Sequence, residues 1–357
     1  MTILATGVSK NNPLADDLNH ILTQTKDIWE EIRGKSIFIT GGTGFFGCWF
    51  LEGLIWANEK LNLNASVLVL TRNYDEFKKT APHLAENSAI KFHIGDVRNF
   101  DFPKGEFPYI IHAAATSARA TFNNENPLAK FNTIVEGTRH TLDFAVKCAA
   151  KKFLFTSSGA VYGKQPSEMT HISEDYNGAP NFNDSDSVWG TGKRTAELLC
   201  AIYSEKHNIE TKIARCFTFV GPYLPLDIHY AIGNFISDRL KNKPITIQGD
   251  GASFRSYLYA ADLVIWLWTI LFRGENCRPY NVGSEEAINI YNLAKIIAKI
   301  SQPELEVNVM QKRASNKLEE RYVPSTKRVQ NELGLKQIIS LEDSIKRTIK
   351  WNKLREI

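Results

Sequence analysis

Cysteine is scarce in this sequence, and its placement argues against a metal site. The five cysteines, Cys48, Cys148, Cys200, Cys216 and Cys277, stand singly along a chain of 357 residues. They form no CxxC pair and no Cys/His ligand spacing, so a zinc site is not expected. An odd, scattered set of thiols is typical of a reducing compartment, and we expect a cytoplasmic protein.

Long apolar runs and an excess of one charge are also absent. The most apolar window, residues 263–272, is too short to cross a bilayer. The N-terminus lacks the basic segment followed by an apolar run that marks a signal peptide. The net charge of +4 comes from 43 basic and 39 acidic residues that are dispersed along the chain. We therefore expect neither a membrane nor a nucleic acid as a partner.

Apolar runs and helical patterns alternate regularly after residue 35. Buried strands are predicted at residues 36–40, 66–71, 90–94, 109–113, 153–156 and 211–219. Helical spacing occurs at residues 47–57, 128–150 and 187–207. This alternation predicts an α/β fold with a parallel sheet built from right-handed crossovers. Beyond residue 222 short strands mix with helices, which predicts a smaller α+β lobe.

A glycine-rich turn, residues 41–47, follows the first predicted strand and opens the first helix. Gly41 suits a tight turn, Gly44 lets the backbone approach a pyrophosphate, and Gly47 allows close helix–strand packing. The N-terminus of the helix predicted from about Gly47 offers N–H groups to phosphate, and Phe45 and Phe46 in the turn are further predicted cofactor contacts. An ordinary turn is the alternative, but the strand before and the helix after favour dinucleotide binding.

The GxxGxxG spacing, together with the later motifs, resembles the extended short-chain dehydrogenases/reductases from residue 35 onward. This resemblance implies a Rossmann-type doubly wound parallel sheet with a smaller α+β substrate-binding lobe. It implies NAD or NADP as cofactor and a nucleotide-diphosphate sugar as substrate. We expect an N-terminal extension with a helix at 1–34, an NAD(P)-binding domain at 35–222 and a nucleotide-sugar lobe at 223–357. Residues near 255–270 are expected to return to the first domain.

The cofactor-binding residues are predicted at the ends of successive strands. NAD-binding proteins usually carry an acid at the end of the second strand, where this chain has Thr71 and Arg72. The missing acid and the added cation favour NADP, although Arg72 is nearly as well explained as a solvated loop residue. The resemblance further places Asp96 and Val97 near adenine and Ala113 and Ala114 beside ribose and pyrophosphate. Plain helix–strand packing explains the two alanines equally well.

The catalytic motif of the family is a serine or threonine followed by YxxxK. Ser158 stands at the expected strand end, and Lys193 stands at the lysine position, which also contacts the nicotinamide ribose. Trp189 occupies the tyrosine position, and an indole N–H is only a donor, so Trp189 is no general base. Three explanations follow. The chain is a substituted form of an active enzyme, or it is a natural enzyme whose proton moves through Tyr162, a substrate group or water. The third explanation is a protein that binds ligands without turnover.

The residues after Ser158 bear on the type of reaction. Dehydratases of the family usually place an Asp-Glu pair there, and decarboxylases keep the second carboxylate. This chain has Gly159 and Ala160, which favours epimerisation by transient oxidation to a keto-sugar. A 4,6-dehydratase, a keto-sugar reductase and a catalytically impaired ligand-binding member are the alternatives.

The second half of the chain carries motifs that resemble the nucleotide-sugar lobe. The predicted substrate contacts are Ser117, Ser158, Thr218, Asn234, Arg255 and Arg321. Thr218 replaces the asparagine common at its position. The two arginines suit bidentate contact with a diphosphate, although a surface ion pair is the commoner fate of a single arginine. The helices at 128–150 and 187–207 resemble the pair that forms a homodimer interface in this family, although intramolecular packing is the plainer explanation.

Overall fold

The main sheet forms where the sequence has uninterrupted apolar runs. The computed structural model describes residues 12–116, 125–228, 230–313 and 318–355. Six strands are β1 Ser36–Thr40, β2 Ser66–Thr71, β3 Ile90–Ile94, β4 Tyr109–His112, β5 Lys152–Ser158 and β6 Glu210–Cys216. Short strands follow at β7 Phe219–Val220, β8 Ile245–Ile247, β9 Phe254–Arg255 and β10 Leu258–Tyr259. The remainder are β11 Pro279–Val282, β12 Ile288–Asn289, β13 Val307–Val309 and β14 Arg321–Tyr322.

Seven of these strands form one sheet in the order β11-β6-β5-β4-β1-β2-β3. All of its pairs are parallel. The order reverses between β1 and β4, and crevices at such switch points bind ligands at the carboxyl ends of the strands. The predicted Rossmann-type sheet is confirmed, and β11 is a seventh strand that the sequence pattern did not predict.

Helices cover both faces of this sheet. The described helices are α1 Ala15–Gln24, α2 Trp29–Ile32, α3 Phe45–Leu61, α4 Tyr74–Thr80, α5 Pro82–Ala85, α6 Pro127–Lys147, α7 Val188–His207, α8 Ala231–Leu240, α9 Ala260–Arg273, α10 Ile290–Lys299, α11 Lys327–Leu333 and α12 Leu341–Arg355. One apolar core lies beneath α6 and α7 and contains Phe38, Leu142 and Ala196. The other contains residues of α3 and α9, including Trp49 and Trp268. No helix in the described ranges is both long and apolar enough to span a bilayer.

A separate apolar core holds the smaller lobe together. It joins α8, α10 and α12 through residues such as Phe235, Leu293 and Ile345, all of which are buried. Strand β8 pairs with β13, and β9 lies between β12 and β14. Strand β12 leads directly into α10. Because β9 and β14 are neighbours, the lobe carries Arg255 and Arg321 on adjacent strands.

The N-terminal segment docks on the C-terminal half of the chain through buried polar pairs. Asp17 on α1 accepts a hydrogen bond of 2.7 Å from the Tyr259 hydroxyl and pairs with Arg347. Burial raises the pKa of Asp17 above its ordinary value. Asp262 accepts hydrogen bonds from two backbone N–H groups, those of Ile338 at 3.0 Å and Ile339 at 2.9 Å. These buried acceptors fasten the extension and the chain after residue 335 onto α9.

Candidate active site

One continuous cavity lies at the switch point and extends into the smaller lobe. Its volume is about 1270 Å³, which exceeds the few hundred to about 1,000 Å³ of a typical single-ligand pocket. At one end it is lined by the glycine turn and by the carboxyl ends of β2 and β4. At the other end it is lined by β9, β14 and the start of α8. The space is suited to two extended ligands lying end to end.

The glycine turn brings bare backbone to the cavity wall. Gly41 has a φ of +72°, and a Cβ there would lie 2.5 Å from the backbone carbon of Ala113. Gly44 caps α3 without a side-chain hydrogen bond, and Gly44, Phe45 and Phe46 line the cavity. The N–H groups at the start of α3 are therefore offered to an anion. Gly47 does not line the cavity; a Cβ there would lie 2.3 Å from Gly42.

The end of β2 presents a threonine and a cation to the same wall. Thr71 is buried and its hydroxyl accepts a hydrogen bond of 3.2 Å from the Asn73 N–H. Arg72 is exposed and lines the cavity beside Asp96. Asp96 forms an ion pair of 2.8 Å with Arg98, and this pairing lowers the pKa of its carboxyl. The predicted residues Val97, Ala113 and Ala114 also line this part of the cavity.

The reaction centre predicted from the sequence lies where β5 and α7 meet. Ser158 ends β5 and lines the cavity. Its hydroxyl accepts a hydrogen bond of 3.2 Å from the Ala160 N–H, so the side chain is held toward the following turn. Behind it, Ser157 donates a hydrogen bond of 2.5 Å to Glu197, which is paired with Arg215 at 2.7 Å. Strand β5 is thereby tied to α7 and β6 directly beneath the site.

Lys193 is a buried ammonium with one hydrogen bond and two aromatic neighbours. It donates a bond of 2.7 Å to the Thr156 carbonyl and lies 4.7 Å from the Phe155 ring centroid. The Trp189 ring, one helical turn earlier on α7, is 5.4 Å away. Burial lowers the pKa of Lys193 to about 8. Trp189 thus presents a π face to the Lys193 ammonium.

The predicted substrate contacts are only partly brought together. Thr218, Arg255 and Arg321 line the cavity together with Ser158. Thr218 donates a hydrogen bond from its hydroxyl to the Ser256 carbonyl, which joins the link between β6 and β7 to the chain before β10. Asn234 lies on α8 but is not among the lining residues. Ser117 lies outside the described residues.

The tyrosine near Ser158 in the cavity is Tyr322 and not Tyr162. Tyr162, considered above as a proton carrier, is buried, donates 2.7 Å to Asn281 and is not among the residues that line the cavity. Tyr322 was not singled out, yet it lines the cavity with its hydroxyl 3.4 Å from the Ser158 hydroxyl. The only available signal was its position directly after Arg321, because its approach to Ser158 depends on how the lobe folds back.

Similarity to known proteins agrees with this geometry. The profile of the NAD dependent epimerase/dehydratase family matches residues 37–283. The chain belongs to this family. UDP-glucuronic acid decarboxylase 6 of Arabidopsis thaliana is 30% identical over 276 residues, which cover 77% of this chain and 77% of that protein.

Two further comparisons show how much of the chain is similar to known proteins in sequence and in fold. UDP-glucuronic acid decarboxylase 2 of Arabidopsis thaliana is 29% identical over 275 residues, or 77% of this chain. The match spans 59% of that protein, less than two thirds of its length. The structure of UDP-glucuronic acid 4-epimerase from Bacillus cereus with UDP-glucuronic acid and NAD superposes with a TM-score of 0.75 at 23% identity. It covers 90% of this chain and 99% of that chain, and at this identity it shows a shared fold.

The residues present fit the dinucleotide that the family name implies. The close approach of Gly41 to Ala113 leaves a wall of bare backbone, and the start of α3 has no side chain competing for its N–H groups. Residues 41–46 would hold the pyrophosphate, and Lys193 would meet the nicotinamide ribose. Bound there, NAD would supply the oxidation and the later reduction of a sugar carbon.

Proposed function

We propose that the protein modifies a nucleotide-diphosphate sugar by transient oxidation to a keto-sugar, with epimerisation as the outcome. The observation that carries this proposal is the single cavity that joins the glycine turn, Ser158 and the two arginines Arg255 and Arg321. A cofactor at the first end and a diphosphate at the arginines would place the sugar at Ser158. The arginines supply the charge for the diphosphate, since planar guanidinium groups bind phosphates in pairs of hydrogen bonds.

The acidic groups of the cavity favour epimerisation over loss of water or CO₂. Asp96 and Glu320 are its acidic lining residues within the described ranges. Asp96 lies at the cofactor end, and Glu320 lies on the lobe next to Arg321. Beside Ser158 stand Gly159 and Ala160, where elimination or decarboxylation in this family would use carboxylates. We therefore propose epimerisation rather than the decarboxylation named for the relatives.

The proposal is tested by identifying the bound molecules and then the product. Purified protein is denatured, and the released molecules are identified by mass spectrometry. We expect a retained dinucleotide, and the Thr71-Arg72 pair favours NADP over NAD because a cation replaces the usual acid. The native protein is then incubated with UDP-glucose, UDP-glucuronic acid or dTDP-glucose. An epimer has the mass of the substrate and is recognised by its NMR spectrum; loss of water, loss of CO₂ or a gain of two hydrogens would instead identify a dehydratase, a decarboxylase or a reductase.

We also propose a homodimer that pairs through α6 and α7. These two helices pack on each other, yet Leu128 is 67% exposed and Leu198 is 61% exposed on them. Light scattering is expected to give the mass of two chains. Leu198→Glu should shift that mass to one chain while circular dichroism stays unchanged. A clean monomer of the unmodified protein would end this proposal.

A further inference from the structure

Ser158 has a tyrosine hydroxyl beside it even though the tyrosine of YxxxK is missing. The described residues that line the cavity include three tyrosines, Tyr230, Tyr257 and Tyr322. Of these, Tyr322 is the one whose hydroxyl meets Ser158, with 3.4 Å between the two oxygens. That separation is long, as is common for catalytic hydrogen bonds before the substrate is bound.

Gly159 creates the space that Tyr322 occupies. A Cβ at Gly159 would lie 2.8 Å from the Tyr322 hydroxyl and 2.6 Å from the Phe217 ring. The Phe217 and Tyr322 rings are packed with their centroids 4.7 Å apart. The hydroxyl therefore reaches Ser158 only because residue 159 has no side chain. The absence of a side chain at 159 and the position of Tyr322 therefore belong to one packing arrangement.

The surroundings of the Tyr322 hydroxyl decide its protonation. Burial raises the pKa of Tyr322 to about 12, and nearby Cys216 acts in the same direction. Ser158, Arg255 and the Ala160 N–H act in the opposite direction and favour the phenolate. The net effect is a raised pKa, so at neutral pH the group is a neutral phenol.

Resting on the proposed function, we propose that Tyr322, paired with Ser158, gives and takes the proton of the reacting sugar oxygen. In the oxidising half, a bound NAD(P) would accept the hydride of the sugar carbon as the C–O bond becomes C=O, and the Tyr322 phenolate oxygen takes the hydroxyl proton. In the reducing half the hydride returns to the carbon, and Tyr322 returns the proton to the oxygen. The phenolate itself arises by proton loss to solvent, so the oxidising half accelerates as the pH rises.

Tyr322→Phe tests this role because it removes the hydroxyl and keeps the ring. We expect kcat to fall about 100-fold, within the usual range for loss of a general acid or base. KM and the content of retained dinucleotide should stay unchanged. The rise of kcat between about pH 7 and pH 9 should disappear, since no phenolate remains to be formed. Tyr291→Phe, on a half-exposed tyrosine that does not line the cavity, is the matched control.

Two more variants separate proton transfer from simple packing. Gly159→Ala should displace the Tyr322 hydroxyl and reproduce the loss of rate with the hydroxyl still present. Trp189→Tyr combined with Tyr322→Phe should restore turnover at neutral pH. If Tyr322→Phe acted only by disturbing the packing, a hydroxyl at position 189 would not restore the rate. If Tyr322→Phe keeps kcat within about threefold of the unmodified protein, the role of Tyr322 is refuted and the proposed function stands. If the unmodified protein retains dinucleotide but converts no nucleotide sugar, the proposed function fails and the role of Tyr322 fails with it.

Discussion

Replacing Trp189 by tyrosine is expected to raise kcat at neutral pH by about 100-fold or more. The new hydroxyl would lie on α7 one turn before Lys193, whose ammonium is 5.4 Å from the present indole ring. A nearby positive charge favours the phenolate and lowers the pKa of a tyrosine. The indole accepts no proton, and the proton carrier proposed for the unmodified protein is Tyr322, whose pKa is raised to about 12. The measurement is the pH profile of kcat on the sugar nucleotide identified by product analysis.

Trp189→Phe is the control for this change, because it alters the ring and adds no hydroxyl. We expect its rate to remain within about threefold of the unmodified protein, since neither ring transfers a proton. Equal rates for Trp189→Tyr and Trp189→Phe would show that position 189 is not a site of proton transfer. The gain in Trp189→Tyr should also make turnover less dependent on Tyr322.

Gly41→Ala is expected to abolish cofactor retention and to lower the free energy of unfolding. Its Cβ would lie 2.5 Å from the Ala113 carbon and 2.6 Å from the Ala114 nitrogen, both backbone atoms that cannot rotate away. The φ of +72° adds strain for any residue with a Cβ. Together, strain and overpacking should cost about 2 to 6 kcal/mol. Urea unfolding and mass analysis of the released dinucleotide measure the two effects.

Two other glycines separate the causes of that loss. Gly334 ends α11 with a φ of +68° and would meet nothing within 4 Å. Gly334→Ala therefore measures the backbone strain alone and should leave the cofactor bound. Gly249 has neither a positive φ nor a close neighbour, so Gly249→Ala should behave like the unmodified protein. Full dinucleotide content in Gly41→Ala would contradict the proposed pyrophosphate site.

The sheet could be read from the sequence because parallel strands buried on both faces are continuous apolar runs. The predicted runs at 36–40, 66–71 and 90–94 coincide with β1, β2 and β3. Strand β11 was missed because its four residues carry little local signal and depend on pairing with distant β6. Helix α9 was noticed in the sequence only as the apolar window 263–272 and was not predicted as a helix. It is buried along nearly its whole length, so it has no polar face that would show a helical period.

The residues of the candidate site also fall into those with a local sequence signal and those that depend on distant pairing. The glycine turn, Ser158 and Lys193 are close in sequence to the strand ends that position them, so local motifs were enough to single them out. Tyr322 belongs to β14, which reaches Ser158 only after the smaller lobe has paired β14 with β9. Tyr162 was the tyrosine considered from the sequence as a proton carrier, but its hydroxyl is directed to Asn281. A short sequence motif cannot show that two residues distant in the chain, such as Ser158 and Tyr322, lie close together in the fold.

The shared space between Gly159 and the Tyr322 hydroxyl also constrains how this chain can change through evolution or engineering. An aspartate at 159 would collide with Tyr322 and Phe217 as they now stand, so that substitution alone meets a steric barrier. Both Tyr322 and Phe217 must give way first, and the proton carrier is lost with Tyr322 unless position 189 has already acquired a tyrosine. We therefore expect residue 189 to change first, residues 322 and 217 next and residue 159 last. Mutational paths that begin at 159 are expected to pass through inactive or poorly folded proteins.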